Sequence, residues 1–250
     1  MKDKHPSFKN PTIQEVVCEI YFKMPDNIKW NPVFFGTLFK QIQKEFPEQE
    51  PVMHVDIQLQ FGNKGLAQTF LPPQQWVRYK NTSNNLILQL TEGIMAVNIL
   101  KYSGWENAHN DILDCWKKVS KITTPKGINR IGLRYINRIK RDSSDEKPDV
   151  WLKTNKYIPD AVLSSQSGFL SRIEVSNDNF SRIIVTLGEI EKSPVIKEKD
   201  IILDIDCIVE KAIKPLKKDI SKEINTLHEL AWQVFSGTIG DKLERLLKGE

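Results

Sequence analysis

Residues 127–141 read Gly-Ile-Asn-Arg-Ile-Gly-Leu-Arg-Tyr-Ile-Asn-Arg-Ile-Lys-Arg, and no other stretch of the chain constrains the fold as tightly. Side chains alternate between the two faces of a β-strand. Arg130, Gly132, Arg134, Ile136 and Arg138 then share one face, while Ile131, Leu133, Tyr135, Asn137 and Ile139 share the other. Such a strand needs a core on one side and tolerates water or a partner on the other. It predicts a sheet with one covered face and one arginine-lined face.

The flanking segments fit that architecture. Strands are predicted at Glu15–Phe22, around Val55–Phe61, Gln68–Phe70, Trp76–Lys80, Leu86–Leu90, Ile94–Leu100, Phe169–Val175, Phe180–Leu187 and Ile201–Val209. Their apolar residues recur every second position. Helical spacing marks Asn31–Phe46, Trp105–Lys121 and Asn225–Leu247, with Trp151–Ile158 as a short helix. Gly62-Asn63-Lys64-Gly65 and Asn81–Asn85 are predicted turns, and Arg141–Asp149 a charged loop.

Each half runs from a strand through an irregular or helical segment into three or more strands and a long closing helix. The class is α+β. Two similar lobes, residues 1–124 and 125–250, are expected from a degenerate internal duplication. Each lobe would be a mainly antiparallel sheet backed by a long helix on one face.

Composition narrows the function. A chain of 250 residues with 40% hydrophobic and 27% charged residues is ordinary for a globular protein, and its 11 Phe and 6 Trp can fill a substantial core. The net charge of +4 falls short of a nucleic-acid coat, so a polyanion site needs local clustering. Cys18, Cys115 and Cys207 are too far apart for a zinc knuckle or redox pair. Buried thiols in a reducing cytoplasm are expected. No signal peptide and no membrane span are expected.

Three segments together are distinctive: Lys9–Phe22, Arg130–Ile139, and Leu227–Phe235 with Thr238-Ile239. With them the chain resembles a sporadically distributed family of bacterial and archaeal proteins of about this length that has no assigned activity. The Gly-Leu-Arg-Tyr-Ile-Asn stretch is the most specific element of that resemblance. Thr12 and Tyr21 depart from it, standing where a second proline and a basic residue are usual. The resemblance supplies no active site. It implies a subunit of an antiviral or other genome-conflict system.

Two outcomes stay open for the arginine face. Arg130, Arg134 and Arg138 are spaced by roughly 13 Å, close to two phosphate steps of an extended nucleic-acid strand. Guanidinium groups bind phosphate bidentately and stack on bases. Arg172 and Arg182 would extend the surface, and Trp76, Arg78 and Tyr79 would add stacking. Alternatively Asp204, Asp206 and Glu174 neutralise the arginines across the ladder, each pair contributing about 0.2–1 kcal/mol.

Other chemistry is sparse. Asp204 and Asp206 could share a divalent metal in a phosphoryl-transfer enzyme or nuclease, given a third acid. His5, His54, His109 and His228 have no partner at ligand spacing, and His228 is expected on the flank of the last helix. Lys211, Lys214, Lys217, Lys218 and Lys222 read as a solvated connector. Gly237 and Gly240 allow close packing or mark a break in the last helix. Trp30, Trp76 and Trp151 are the exposed-Trp candidates. The expectation is a cytoplasmic, non-catalytic adaptor with no cofactor. It would engage nucleic acid or a larger effector protein in a hetero-oligomer through Arg130, Arg134, Arg138, Arg172 and Arg182. Small-ligand sensing between the lobes is a third possibility.

Overall fold

A computed structural model describes residues 4–54, 57–62, 65–70, 74–81, 85–141, 146–165, 168–191 and 199–250. The strands are β1 (Ile13–Lys23), β2 (Glu48–His54), β3 (Ile57–Gly62), β4 (Gly65–Phe70), β5 (Gln74–Asn81), β6 (Leu86–Thr91), β7 (Ile94–Ile99), β8 (Gly127–Ile139), β9 (Leu170–Ser176), β10 (Ser181–Glu191) and β11 (Lys199–Ile213). The α-helices are α1 (Val33–Ile42), α2 (Trp105–Thr123), α3 (Asp160–Leu163), α4 (Lys217–Ser236) and α5 (Asp241–Lys248). The fold is α+β.

Nine strands form one antiparallel sheet in the order β2-β5-β6-β7-β1-β8-β11-β10-β9. β3 and β4 pair separately as a hairpin. The first strand of each half lies at the centre, and β1 pairs with β8. Outward from that pair, the order is β7-β6-β5 on one side and β11-β10-β9 on the other. The two halves therefore share a sheet and also one continuous apolar core. The boundary expected at residues 124/125 falls in the link between α2 and β8.

The alternation in β8 holds from Arg130 to Ile139; before it Ile128 is buried and Asn129 exposed, where the pairings with β1 and β11 shift register. Ile131, Leu133 and Ile139 are fully buried, and Tyr135 and Asn137 nearly so, on the face that α4 covers. Cys18 and Cys207 flank Leu133 in register on that same face. α2 covers β7 and packs against α1 and α4.

Several elements differ from expectation for identifiable reasons. β2 lies outside the predicted strands because Glu48, Glu50 and Pro51 hide it. It is an edge strand, where proline is tolerated. α1 stops at Ile42 and Phe46 enters the core from the turn beyond. Asn31 accepts a hydrogen bond from Val33 N through its side chain, in the capping role expected of it. Residues 151–158 are not a helix. Asn155 Oδ1 accepts from the backbone N–H groups of Tyr157 and Ile158, and Lys153 N donates to Thr238 O. The local side-chain bond competes with helix formation.

The last helix is two helices and begins earlier than expected. Lys217, Lys218 and Lys222 belong to α4 and not to a connector. Gly237 and Gly240 mark the break, and Gly240 also packs closely: a Cβ there would lie 2.9 Å from the backbone of Trp151. Trp151 itself is fully buried, and Trp30 and Trp76 are partly buried, so none of the three is an exposed anchor. Val55, Asn63, Lys64, Ser143 and Ser144 lie outside the described residues, as does the side-chain facing of Ile57–Phe61.

Candidate functional site

The face of the sheet opposite α2 and α4 carries the predicted arginines. Their partners follow from strand register. Arg134 lies opposite Asp206, yet it bonds Asp204, two residues along β11. Its Nε donates to Asp204 Oδ1 at 2.8 Å and its Nη2 to Oδ2 at 2.5 Å, a bidentate pair. Arg138 lies opposite Ile202 and bonds Asp200 at 2.7 Å, again two residues along. Arg182 lies opposite Ile208 and Ser176, but reaches Glu210 at 2.8 and 3.1 Å and Glu174 at 3.2 Å. Sheet twist and the length of the arginine side chain favour these diagonals over the directly opposed positions.

Arg130 and Arg172 are held more loosely. Arg130 stacks over Tyr21 at 4.6 Å and lies 3.8 and 3.9 Å from Glu210 and Glu19. Arg172 is exposed and touches Thr186 Oγ1 at 3.5 Å. The structure thus gathers all five arginines on one face, with acids interleaved among them. Arg78 joins the same face, bonding Gln89 at 2.9 Å. Tyr79 points the other way into the core and donates to Phe35 O at 2.9 Å.

Burial on this open face is uneven. Asp200 and Ile208, both on this face of β11, are each 1% exposed. The Arg134 side chain remains 46% exposed above the buried Asp204. Asp206 is the outlier. Burial, with Glu19 and Asp204 nearby, pushes its carboxyl up to about 6, against the opposing pull of Arg134 and Arg130. Gly132 lies diagonally across the ladder from it, opposite Ile208, and a Cβ there would lie 3.8 Å from Asp206 Oδ1.

Asp204 is engaged by Arg134, and no group of three His, Cys, Asp or Glu side chains among the described residues could hold a metal ion. No described helix is long and apolar enough to cross a membrane.

One buried network was not anticipated, because Arg141 falls where the sequence signals a loop. Its guanidinium donates to Glu189, to Lys199 O and to Glu146 O at 2.7–2.9 Å. Glu146 in turn accepts from Trp151 Nε1 and Lys242. The network ties the β8 exit to β10, β11 and α5.

A second concavity lies on the helix side, at the junction of the halves. Residues 5–13, the start of α2, β8 and α4 enclose about 570 Å³. His228 is buried there and is not on a flank of α4. It stacks on Trp105 at 4.0 Å and shares a 2.8 Å hydrogen bond between Nδ1 and the Tyr135 hydroxyl. His5 stacks on Trp232 at 4.6 Å. The spacing of His228 and Trp232 was a usable signal, since residues four apart share a helix face. The contribution of residues 5–8 had no sequence signal. His109 bonds Ser221 at 2.9 Å, and burial holds its imidazole below the usual range.

No protein-family model matches the chain, and none of the curated proteins compared with it does.

Proposed function

We propose that this chain is a non-catalytic adaptor that docks a partner protein on the open face of its sheet. The observation that carries this is the interleaving of acids with Arg130, Arg134, Arg138 and Arg182. A polyanion approaching this face would meet a carboxylate beside each of Arg130, Arg134, Arg138 and Arg182, and each like-charge approach is unfavourable. A protein surface carrying both signs of charge can pair with both. Arg172 and the exposed part of Arg134 are the groups most available to such a partner, and Tyr21 on β1 and Ile136 on β8 are partly buried residues of the same face. Nucleic acid is the weaker form of the proposal, and metal-dependent phosphoryl transfer through Asp204 and Asp206 is weaker again.

The resemblance to the sporadically distributed family supports reading such an adaptor as one subunit of an antiviral hetero-oligomer. Three buried free thiols fit a reducing cytoplasm. The mirrored strand order about β1 and β8 supports descent from a duplicated unit, with residues 1–124 and 125–250 as the two copies.

The test is affinity capture from the native host, with and without nuclease, followed by titration of the recovered partner. An adaptor gives a stoichiometric protein partner that nuclease leaves in place. Its binding weakens as salt rises, and Arg172→Glu reduces it by about tenfold or more. Loss of the partner on nuclease treatment, or Mg²⁺- or Mn²⁺-dependent cleavage of nucleic acid that Asp206→Asn abolishes, would overturn the reading.

A further inference from the structure

The concavity of about 570 Å³ beneath residues 5–13 plays no part in the partner docking argued above. We propose that it is a binding site for a small, flat, uncharged heteroaromatic ligand of nucleoside size.

Size comes first. Small-ligand sites commonly measure roughly 300–1,000 Å³ and are lined by apolar and aromatic side chains with a few polar groups. This one is walled by Phe8, Tyr102, Trp105, Trp232 and Phe235, with Tyr135 and Ile205 as its floor on the sheet. Rings of this size normally pack against one another until the space closes. Here they surround it.

Charge comes second. Lys9 and Glu106 carry full charges among the lining residues, and both are exposed. Deeper in, the polar groups are the His228 ring with the Tyr135 hydroxyl bonded to it, the His5 ring 3.1 Å from Glu229 Oε1, and the buried Asn137, which accepts from Thr12 and donates to Leu203 O. Among the described lining residues no Lys, Arg, Asp or Glu reaches that depth, and Glu229 is engaged by His5, so an ionised group would lose its hydration there with little to replace it. The inserted part of the ligand is therefore neutral.

Shape comes third. The rings already stack in near-parallel pairs, Trp105 with His228 at 11° and His5 with Trp232 at 20°. The two stacks meet where His5 and His228 lie edge to face, 5.4 Å apart. Aromatic platforms take further flat rings by offset stacking or by edge contact, and do so without demanding a particular hydrogen-bond pattern. Both halves of the chain contribute, Tyr102 and Trp105 from before residue 124 and Tyr135 and Trp232 from after it. Tyr135 and Asn137 also alternate along β8 with Arg134 and Arg138, so the ligand site and the docking face lie back to back on one strand.

The test uses the full chain and measured probes. Adenosine, guanosine and indole are flat; choline is a cation that ring faces also attract; cyclohexanol is apolar and not flat. Saturation-transfer NMR and thermal denaturation are recorded for each. The flat probes are expected to receive saturation and raise the melting midpoint, and choline and cyclohexanol to do neither. Ala231 lines the cavity and is 3% exposed, so Ala231→Phe fills it and should weaken the flat probes by about tenfold or more. Circular dichroism confirms that the variant is folded. Should it fail to fold, Trp232→Leu removes one platform while keeping an apolar residue, and the same loss is expected. The proposal is overturned if no flat probe binds, if the folded variant binds them as well as the parent does, or if choline or cyclohexanol binds as tightly as they do.

Discussion

Replacing Asp206 by Asn should stabilise the protein at neutral pH, a reversal of the usual penalty for altering a charge among arginines. The Asp206 carboxyl, ordinarily near 3.8, is pushed up to about 6, chiefly because the sheet removes it from water. Its nearest arginine in register, Arg134, directs Nε and Nη2 to Asp204. At 1.36 kcal/mol per pH unit, such a displacement corresponds to roughly 3 kcal/mol as a ceiling. Asp206 is only partly buried and keeps some hydration, so a gain of about 1–2 kcal/mol is expected for Asn.

The pH dependence follows from the direction of the displacement. Between about pH 4 and pH 6 the folded chain keeps a proton on Asp206 that the unfolded chain has released. The stability this group contributes is fully present below the unfolded value and lost as pH rises through the folded one. The Asn variant does not suffer that loss. Its advantage should be near zero at pH 4, grow through pH 6 and level off above pH 7. Urea unfolding at these pH values measures it, and thermal denaturation at pH 7.5 should show a midpoint higher by roughly 2–8 °C. A variant less stable than the parent at pH 7.5 would refute the reasoning. It would mean that the attraction of Arg134 and Arg130 for the carboxylate outweighs its desolvation. An equal gain at pH 4 and pH 7.5 would refute it too, by showing that the effect is not one of protonation.

Gly240→Ala should cost about 1–3 kcal/mol in chemical denaturation, because the added Cβ would meet backbone atoms of Trp151 and Leu152 at 2.9–3.1 Å and backbone cannot step aside as a side chain can. Tyr135→Phe removes the buried hydrogen bond to His228 and should cost about 1 kcal/mol in the same assay. Cys18, Cys115 and Cys207 are at most 1% exposed, and burial pushes all three thiols well above their ordinary range. Ellman's reagent should therefore react with none of them in the folded chain, and with all three once urea unfolds it. Reaction of any one under native conditions would contradict the packing.

Where the sequence could be read correctly, a local rule was enough. β8 was legible because the ten residues from Arg130 to Ile139 hold one alternation, apolar on one side and arginine-bearing on the other. α2 was legible because Trp105, Ile112, Cys115, Trp116 and Val119 recur at helical spacing and all are buried. β2 was not, because an edge strand needs neither a run of apolar residues nor an unbroken set of backbone donors. The continuation of α4 back to Lys217 was hidden by lysines, which disguise a helical start as a solvated link. Its Ile220 and Ile224 are buried, and that pair was the available signal.

The candidate sites divide in the same way. Which arginines share a face was legible from β-pleating alone. Which acid each one holds was not, because Arg134, Arg138 and Arg182 pair diagonally and the choice depends on register between strands separated by up to 70 residues in sequence. The aromatic cavity joins residues from positions 5 to 247 and has no expression in any single window.

The chain by itself therefore determined the periodicities: an α+β protein whose central strand turns apolar groups to one side and guanidinium groups to the other. That much follows from the two-residue repeat of a strand and the turn of a helix, both properties of neighbours along the backbone. Tertiary structure alone decided that β1 and β8 fuse the halves into one sheet, that Arg134 takes Asp204 in a bidentate pair while burial raises the carboxyl of Asp206 two residues away, and that His228 closes on Trp105 inside the molecule. Pairing energies, desolvation and ring stacking depend on distances through space, and those are fixed only once remote segments have packed.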